Sequence, residues 1–255
     1  MTEQPDDRPD RYRAPALDKG LDILELLSSE PKGLTRAEIV KAMGRSPSEI
    51  YRMLERLVAR NYVARSAEGD RYELTMKLFV LAHRHPPVRR LVAQAMPLMD
   101  EFARDSRQSC HLVVPDQGSA IVVAQASPLD VWEFRVRVGV RLDLLNTGSG
   151  QTLLAFQNPE RRQETLAIWR SPDYSARLEA IEPELSRVRE QGYRIGASQQ
   201  LAGVEDITVP ITDPHGEAVA VLTCAFTHRL DLPGGTDHAG VLAMLMDLGA
   251  RLSIR

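Results

Sequence analysis

The chain has 255 residues, of which 43% are hydrophobic and 26% are charged, and its formal net charge is -3. This composition is typical of a globular protein with a sizeable core, and the near-neutral charge gives no overall attraction for nucleic acid or membranes. Two cysteines outside any CxxC motif exclude a disulfide framework, so a cytoplasmic protein is expected. No apolar run reaches the roughly 18 residues of a membrane span, and the N-terminus lacks the apolar region of a signal peptide.

Residues 1–13 are polar and are predicted to form a disordered arm. A first helix is predicted after them because apolar residues recur every three or four positions, at Leu17, Leu21, Leu24 and Leu27. Pro31 and Gly33 end this pattern.

Two capping boxes predict two further helices in quick succession. The first pairs Thr35 with Glu38 and begins a short helix that Gly44 ends. The second pairs Ser46 with Glu49 and begins a longer amphipathic helix that ends near residue 60. Strand-like runs at 62–64 and 71–74 then flank a turn, which predicts a hairpin. The order of these elements predicts a winged helix-turn-helix over residues 14–76.

The rest of the chain predicts an α+β domain in which helices cover a sheet. Helical residues 77–107 are predicted to contain the linker and the first helix of that domain, which occupies 108–255. Strands are expected at 109–114, 119–126, 131–138, 205–212 and 217–226, and helices at 147–156, 159–169, 178–191 and 236–252.

The helix that begins at Ser46 is predicted to bind double-stranded DNA. In a helix-turn-helix the second helix enters the major groove with its N-terminal residues. Residues 31–72 contain nine Lys and Arg against five Asp and Glu, a local charge of +4. The predicted DNA-binding residues are Thr35, Arg45, Ser46, Ser48, Glu49, Tyr51, Arg52, Arg56 and Arg71. The alternative is a solvated helix face on which Arg52 and Arg56 pair with Glu49 and Glu55.

A longer signature covers the N-terminal third: ALDKGLDILELLSSEPKGLTRAEIVKAMGRSPSEIYRMLERLVARNYV, followed by RYELTMKLFVLAH. It resembles the DNA-binding domain of the IclR family of bacterial transcriptional regulators. Three later stretches extend the resemblance in the order of the family: RVRVGVRLDLLNTGSGQTLLAF, LSRVREQGYRI and GVEDITVPITDPHGEAVAVLTCAF. The resemblance implies a winged helix-turn-helix, a linker helix and a C-terminal GAF-like effector-binding domain. It also implies a homodimer or homotetramer that binds a palindromic operator in promoter DNA under the control of a small-molecule effector.

The resemblance also implies an effector pocket. Carried over position by position, its residues are Val131, Phe134, Leu142, Thr147, Gly148, Ser149, Asp206 and Thr223. The chain departs from the family pattern at Gly196, where an acidic residue is frequent, at Asp206, where Cys is usual, and at Ala225, where Ser is common. A buried Asp206 would disfavour an anionic ligand unless it is protonated or paired. An organic acid, a neutral hydroxylated compound, an amine, loss of sensing and a solvent-facing Asp206 therefore remain open.

Two other functions were weighed against DNA-binding regulation. An enzyme would need a catalytic constellation, but Ser149 does not lie in a GxSxG motif and there is no HExxH motif or phosphate-binding loop. The scattered histidines are interpreted as surface or structural residues: His111, His215, His228 and His238. No enzymatic activity, cofactor or metal is expected. A sensor module whose helix-turn-helix serves packing is the other alternative, and the local basic charge argues against it.

Overall fold

The computed structural model describes residues 14–67, 69–84, 86–130, 132–230 and 236–254. The predicted arm and Val131 lie outside the described residues. The chain divides into two compact units whose boundary falls at residues 85 and 86, within the segment 77–107 predicted to contain the linker. None of the helices in the described residues is long and apolar enough to cross a membrane.

The N-terminal unit is a winged helix-turn-helix. Its elements are α1 (Pro15–Ser28), β1 (Leu34–Thr35), α2 (Arg36–Met43), α3 (Pro47–Ala59), β2 (Val63–Arg65), β3 (Arg71–Leu74) and α4 (Lys77–His83). The strands form an antiparallel sheet in the order β1-β3-β2, so the wing has a third strand beyond the predicted hairpin. With two residues, β1 is too short to give an alternating pattern in the sequence.

Apolar side chains from all three helices fix the position of α3. Ile50 and Leu54 are fully buried on one face of α3 and lie in one cluster with Ile23 of α1 and Ile39 of α2. Gly44 adopts a left-handed conformation with φ of 60° at the end of α2, which reverses the chain without the steric cost of a Cβ. The opposite face of α3 is left to solvent.

The C-terminal unit is built on a six-stranded antiparallel sheet in the order β6-β5-β4-β9-β8-β7. Its strands are β4 (Cys110–Asp116), β5 (Ser119–Ala126), β6 (Arg141–Leu142), β7 (Arg194–Ala197), β8 (Val204–Thr212) and β9 (Ala218–Thr227). Its helices are α5 (Pro86–Ser106), α6 (Gly148–Ala155), α7 (Pro159–Trp169), α8 (Pro172–Gln191) and α9 (His238–Leu252).

Each face of this sheet has its own apolar core. One cluster joins residues of α5 and α9, such as Met99 and Leu245, to Leu222 of the sheet. The other joins Leu153 of α6 and Leu185 of α8 to the opposite face. The architecture is therefore the predicted α+β fold with helices on both faces of the sheet.

The predicted strand at 131–138 is wrong for the residues that the structure describes there, because residues 132–138 form no strand. The Gln125 side chain takes the place of a neighbouring backbone in this region. Its carbonyl oxygen accepts from the Val136 amide at 3.3 Å and its amide nitrogen donates to the Phe134 carbonyl at 3.4 Å. Trp132 is consequently not on a sheet face and is 70% exposed.

Candidate functional sites

The N-terminus of α3 is held by the predicted capping box. The Glu49 carboxylate accepts from the Ser46 amide at 3.3 Å and from the Ser46 hydroxyl at 2.8 Å. Glu49 also pairs with Lys19 of α1. The Lys19 ion pair and the Ser46 hydrogen bonds lower the pKa of Glu49 from 4.5 to about 2. Glu49 therefore joins α1 to α3, and its charge is already neutralised within the unit.

The arginines on the outer face of α3 have no acidic partner. Arg45, Arg52 and Arg56 are exposed, and none of the residues that the structure describes forms an ion pair or hydrogen bond with their guanidinium groups. The alternative pairing of Arg52 and Arg56 with neighbouring acids is wrong, because Glu49 pairs with Lys19 and Glu55 pairs with Arg65. Unpaired arginines on a groove-facing helix can bind phosphates or guanine edges.

Other predicted DNA-binding residues have partners within the unit. The Thr35 hydroxyl caps α2 by accepting from the Glu38 amide at 3.3 Å. The Arg71 guanidinium donates to the Gly33 carbonyl at 2.8 Å. Tyr51 is 43% exposed beneath the Arg36 guanidinium, 5.5 Å from its ring centre. Ser46 and Ser48 are exposed at the beginning of α3 with their hydroxyls 3.4 Å apart.

In the C-terminal unit, a row of polar residues crosses five strands of the sheet. Backbone pairing places Gln125, His111, Thr223, Thr208 and Arg194 directly opposite one another in that order. Residues in direct register share one face of a sheet, so this row lies beneath α6. All of these side chains except Gln125 are buried.

The first turn of α6 forms hydrogen bonds to this row. The Ser149 and Thr223 hydroxyls lie 2.7 Å apart, and those of Thr152 and Thr208 lie 2.5 Å apart. Thr147 caps α6 by accepting from the Gly150 amide at 3.0 Å. Because buried polar groups are costly without partners, these contacts fix the register of α6 on the sheet.

Asp206 occupies the pocket side of β8, directly opposite Gly196 on β7. The missing side chain at Gly196 leaves space that the Arg194 guanidinium fills, because a Cβ there would lie 3.1 Å from Nη2 of Arg194. Burial raises the pKa of Asp206, and the Arg194 charge and the Gly148 amide oppose that shift. The Asp206 carboxylate therefore points inward beside a cation.

A small cavity opens above this polar row. Its volume is about 50 Å³, and its lining includes Phe134, Leu142, Thr147, Ser149, Asp206 and Thr223. Six of the predicted effector-binding residues thus come together, and Gly148 contacts Asp206 from the first turn of α6. Val131, the remaining one, falls outside the described residues.

The cavity also contains residues that the sequence analysis missed: His111, Val136, Ser198, Gln200, Leu201 and Ala225. His111 was interpreted as a surface or structural histidine, but it lines the cavity and is only 6% exposed. Burial lowers its pKa from 6.5 to about 4, so it is neutral at pH 7. A histidine within the apolar run Cys110–Val114 was the signal that could have identified it.

A winged helix-turn-helix with unpaired arginines, joined to a sheet domain with a polar cavity, defines a two-unit DNA-binding regulator. A family model described as the IclR helix-turn-helix domain matches residues 16–67, and one described as the bacterial transcriptional regulator IclR C-terminal matches residues 87–253. The chain belongs to the IclR family and is a DNA-binding transcriptional regulator.

Relatives agree with this assignment. The chain is 31% identical over 212 residues to the HTH-type transcriptional regulator KdgR of Escherichia coli, covering 80% of this chain and 79% of that protein. It is 30% identical over 217 residues to the HTH-type transcriptional regulator BhcR of Paracoccus denitrificans, covering 80% and 75%. The fold matches an IclR homolog from Microbacterium hydrocarbonoxydans complexed with 4-hydroxybenzoate, with a TM-score of 0.74, 22% identity and coverage of 93% and 97%.

Proposed function

We propose that this regulator binds a palindromic operator in promoter DNA and that a small-molecule effector in the C-terminal cavity changes that binding. Arg45, Arg52 and Arg56 are the proposed groove-facing cations, with Ser46 and Ser48 contacting phosphate oxygens. Thr35, Glu49 and Arg71 then act by holding α2, α3 and the wing in place. Acting on the chromosome, the protein works in the cytoplasm.

A dimer is the proposed DNA-binding form, alone or within a tetramer. Two identical recognition helices can read two half-sites that are related by symmetry. The N-terminal unit supports this proposal with large apolar side chains left exposed on α1 and α4. They include Leu17, Leu21, Leu78, Val80 and Leu81, which are 39–61% exposed. A second copy would remove this surface from water.

The observation that carries the effector proposal is the polar lining of the cavity above the sheet. Hydroxyls from Thr147, Ser149 and Thr223, the neutral His111 imidazole and the Asp206 carboxylate all line it. The first turn of α6 adds the partial positive charge of a helix N-terminus. Such a lining suits a small compound with hydroxyl and carboxyl groups, and a homolog of the same fold is complexed with 4-hydroxybenzoate.

The cavity must enlarge to admit that compound. Its volume of about 50 Å³ holds a few water molecules and is far below the roughly 300–1,000 Å³ of typical ligand sites. We propose that the loop containing Ser198, Gln200 and Leu201 moves outward when the effector enters. This movement would link effector binding to the rest of the protein.

The test combines ligand and DNA binding. Binding sequences are selected from a random duplex library, and small acids, sugars, phenols and amines are screened by thermal shift. A ligand at about 100 times its Kd adds roughly 2.7 kcal/mol of stability. The proposal requires at least one compound that both stabilises the protein and changes its affinity for the selected DNA. Stabilising compounds that leave DNA affinity unchanged would contradict it.

A further inference from the structure

A cluster of two histidines and one glutamate lies on the sheet face opposite the effector cavity. Glu205 is at the beginning of β8, His228 directly follows β9, and His238 is the first residue of α9. One ligand atom from each of the three side chains lies within 4.8 Å of the others. We propose that Glu205, His228 and His238 bind a divalent transition-metal ion of the zinc class.

The fold brings these distant residues together through strand register. Glu205 pairs directly with Phe226 across β8 and β9, so both side chains share the face covered by α9. Asp206, the next residue, points to the effector cavity on the other face. The metal site is therefore separate from the cavity, although the two sites use neighbouring residues of one strand.

The Phe226 ring holds both imidazoles. It lies 4.1 Å from the His238 ring centre in a tilted arrangement and 5.1 Å from the His228 ring centre in an edge-on arrangement. These ring contacts restrict the side-chain rotamers before any ion binds, which reduces the entropy lost on coordination.

Nε2 of both histidines approaches the same carboxylate oxygen of Glu205. His228 Nε2 lies 3.9 Å from Glu205 Oε2, and His238 Nε2 forms a closer contact with it. An ion placed between the three groups would sit about 2 Å from each donor, after shifts of under an ångström or two in exposed side chains. No such shift requires the backbone to move.

The donor set determines the class of metal. Imidazole nitrogens suit zinc, nickel, copper and iron, whereas magnesium and calcium prefer oxygen ligands alone. Three protein ligands leave a fourth position for water, as at three-ligand zinc sites. Bound metal would tie the first turn of α9 to the ends of β8 and β9.

The test is calorimetric titration of ZnCl2 into the metal-stripped, full-length protein without an affinity tag. We expect one zinc ion per chain. His228→Asn and Glu205→Gln should each weaken binding by more than about tenfold, the loss that even mutations outside the ligand shell cause. The His228 side chain is 72% exposed, so its replacement leaves the core unchanged.

His215→Asn is the matched control because His215 is an exposed histidine in the turn between β8 and β9, outside the cluster. This variant should bind zinc like the wild type. Cobalt(II) should give visible absorption bands in the wild type and in His215→Asn but not in His228→Asn. Failure of the wild type to bind zinc, or wild-type affinity in His228→Asn and Glu205→Gln, would overturn the proposal.

Discussion

Gly148 and Asp206 approach so closely that a Cβ atom on residue 148 would lie 2.8 Å from the Asp206 Cβ and 3.0 Å from its carboxylate oxygen. The first turn of α6 and strand β8 are therefore fitted to a glycine at this position. The contact connects the helix N-terminus, the inward carboxylate and the cavity above them.

Gly148→Ala should displace Asp206 and lower the affinity for the effector by about tenfold, since overpacking of this kind typically costs about 1–3 kcal/mol. The affinity is measured by titration with the compound that gives the largest thermal shift. Gly20→Ala is the control, because a Cβ at Gly20 in α1 meets no atom within 4 Å. Unchanged effector affinity in Gly148→Ala would remove the first turn of α6 from the proposed site.

Arg52→Ala and Arg56→Ala should each weaken operator binding without changing the melting temperature, because neither side chain has a partner among the described residues. A lost phosphate contact lowers the slope of log K against log salt by about 1, and a lost base contact costs about 1–3 kcal/mol. Fluorescence anisotropy at several salt concentrations separates these cases. Arg161→Ala, which removes an exposed arginine of α7, should leave DNA affinity unchanged. Wild-type affinity in both α3 variants would contradict the proposed orientation of α3.

Glu49→Gln should destabilise the N-terminal unit at pH 7, because glutamine keeps the capping box but loses the charge that pairs with Lys19. The pKa of Glu49 is lowered to about 2, so its contribution to stability is full above pH 4.5 and is lost as the pH falls toward 2. Thermal unfolding by circular dichroism at pH 7, 4.5 and 3 measures the difference. A gap between wild type and variant that stays constant over this range would show that the charge is not responsible.

The N-terminal unit was predictable because its signals are local. Capping boxes at Thr35 and Ser46 and an apolar stripe on each helix specify the three helices within a few residues each. The orientation of Arg71 was not predictable, since its guanidinium contacts Gly33, which lies 38 positions away in the sequence.

The C-terminal sites depend on strand register, which a single sequence specifies weakly. Register alone places His111 opposite Thr223, Asp206 opposite Gly196, and Glu205 opposite Phe226. The strand predicted at 131–138 failed for a related reason. The sequence gives no sign that the Gln125 side chain supplies the hydrogen bonds that a neighbouring strand would otherwise supply.

His111→Asn should change how the stability of the C-terminal unit depends on pH. The buried imidazole has a pKa of about 4 instead of 6.5, so the unfolded chain takes up a proton before the folded chain does. Wild-type stability should therefore fall as the pH decreases from 6.5 to 4, by about 3 kcal/mol at most. Urea unfolding at pH 7, 5.5 and 4.5 measures this loss, which should be smaller in the variant. Equal losses would place the responsible titration elsewhere, and His215→Asn serves as the exposed control.

Asp206→Asn should change the effector preference according to ligand charge. Replacing the carboxylate with an amide leaves the Arg194 cation unopposed, so carboxylate ligands should bind more tightly and amines more weakly. In the wild type, burial raises the pKa of Asp206, so affinity for a carboxylate should increase as the pH falls toward that pKa. The Asn variant should lack this increase. Titrations of one acid and one amine from pH 7.5 to 5.5 measure both effects, with Glu179→Gln on the exposed face of α8 as the charge-matched control. Identical pH profiles in the wild type and Asp206→Asn would show that Asp206 does not face the bound effector.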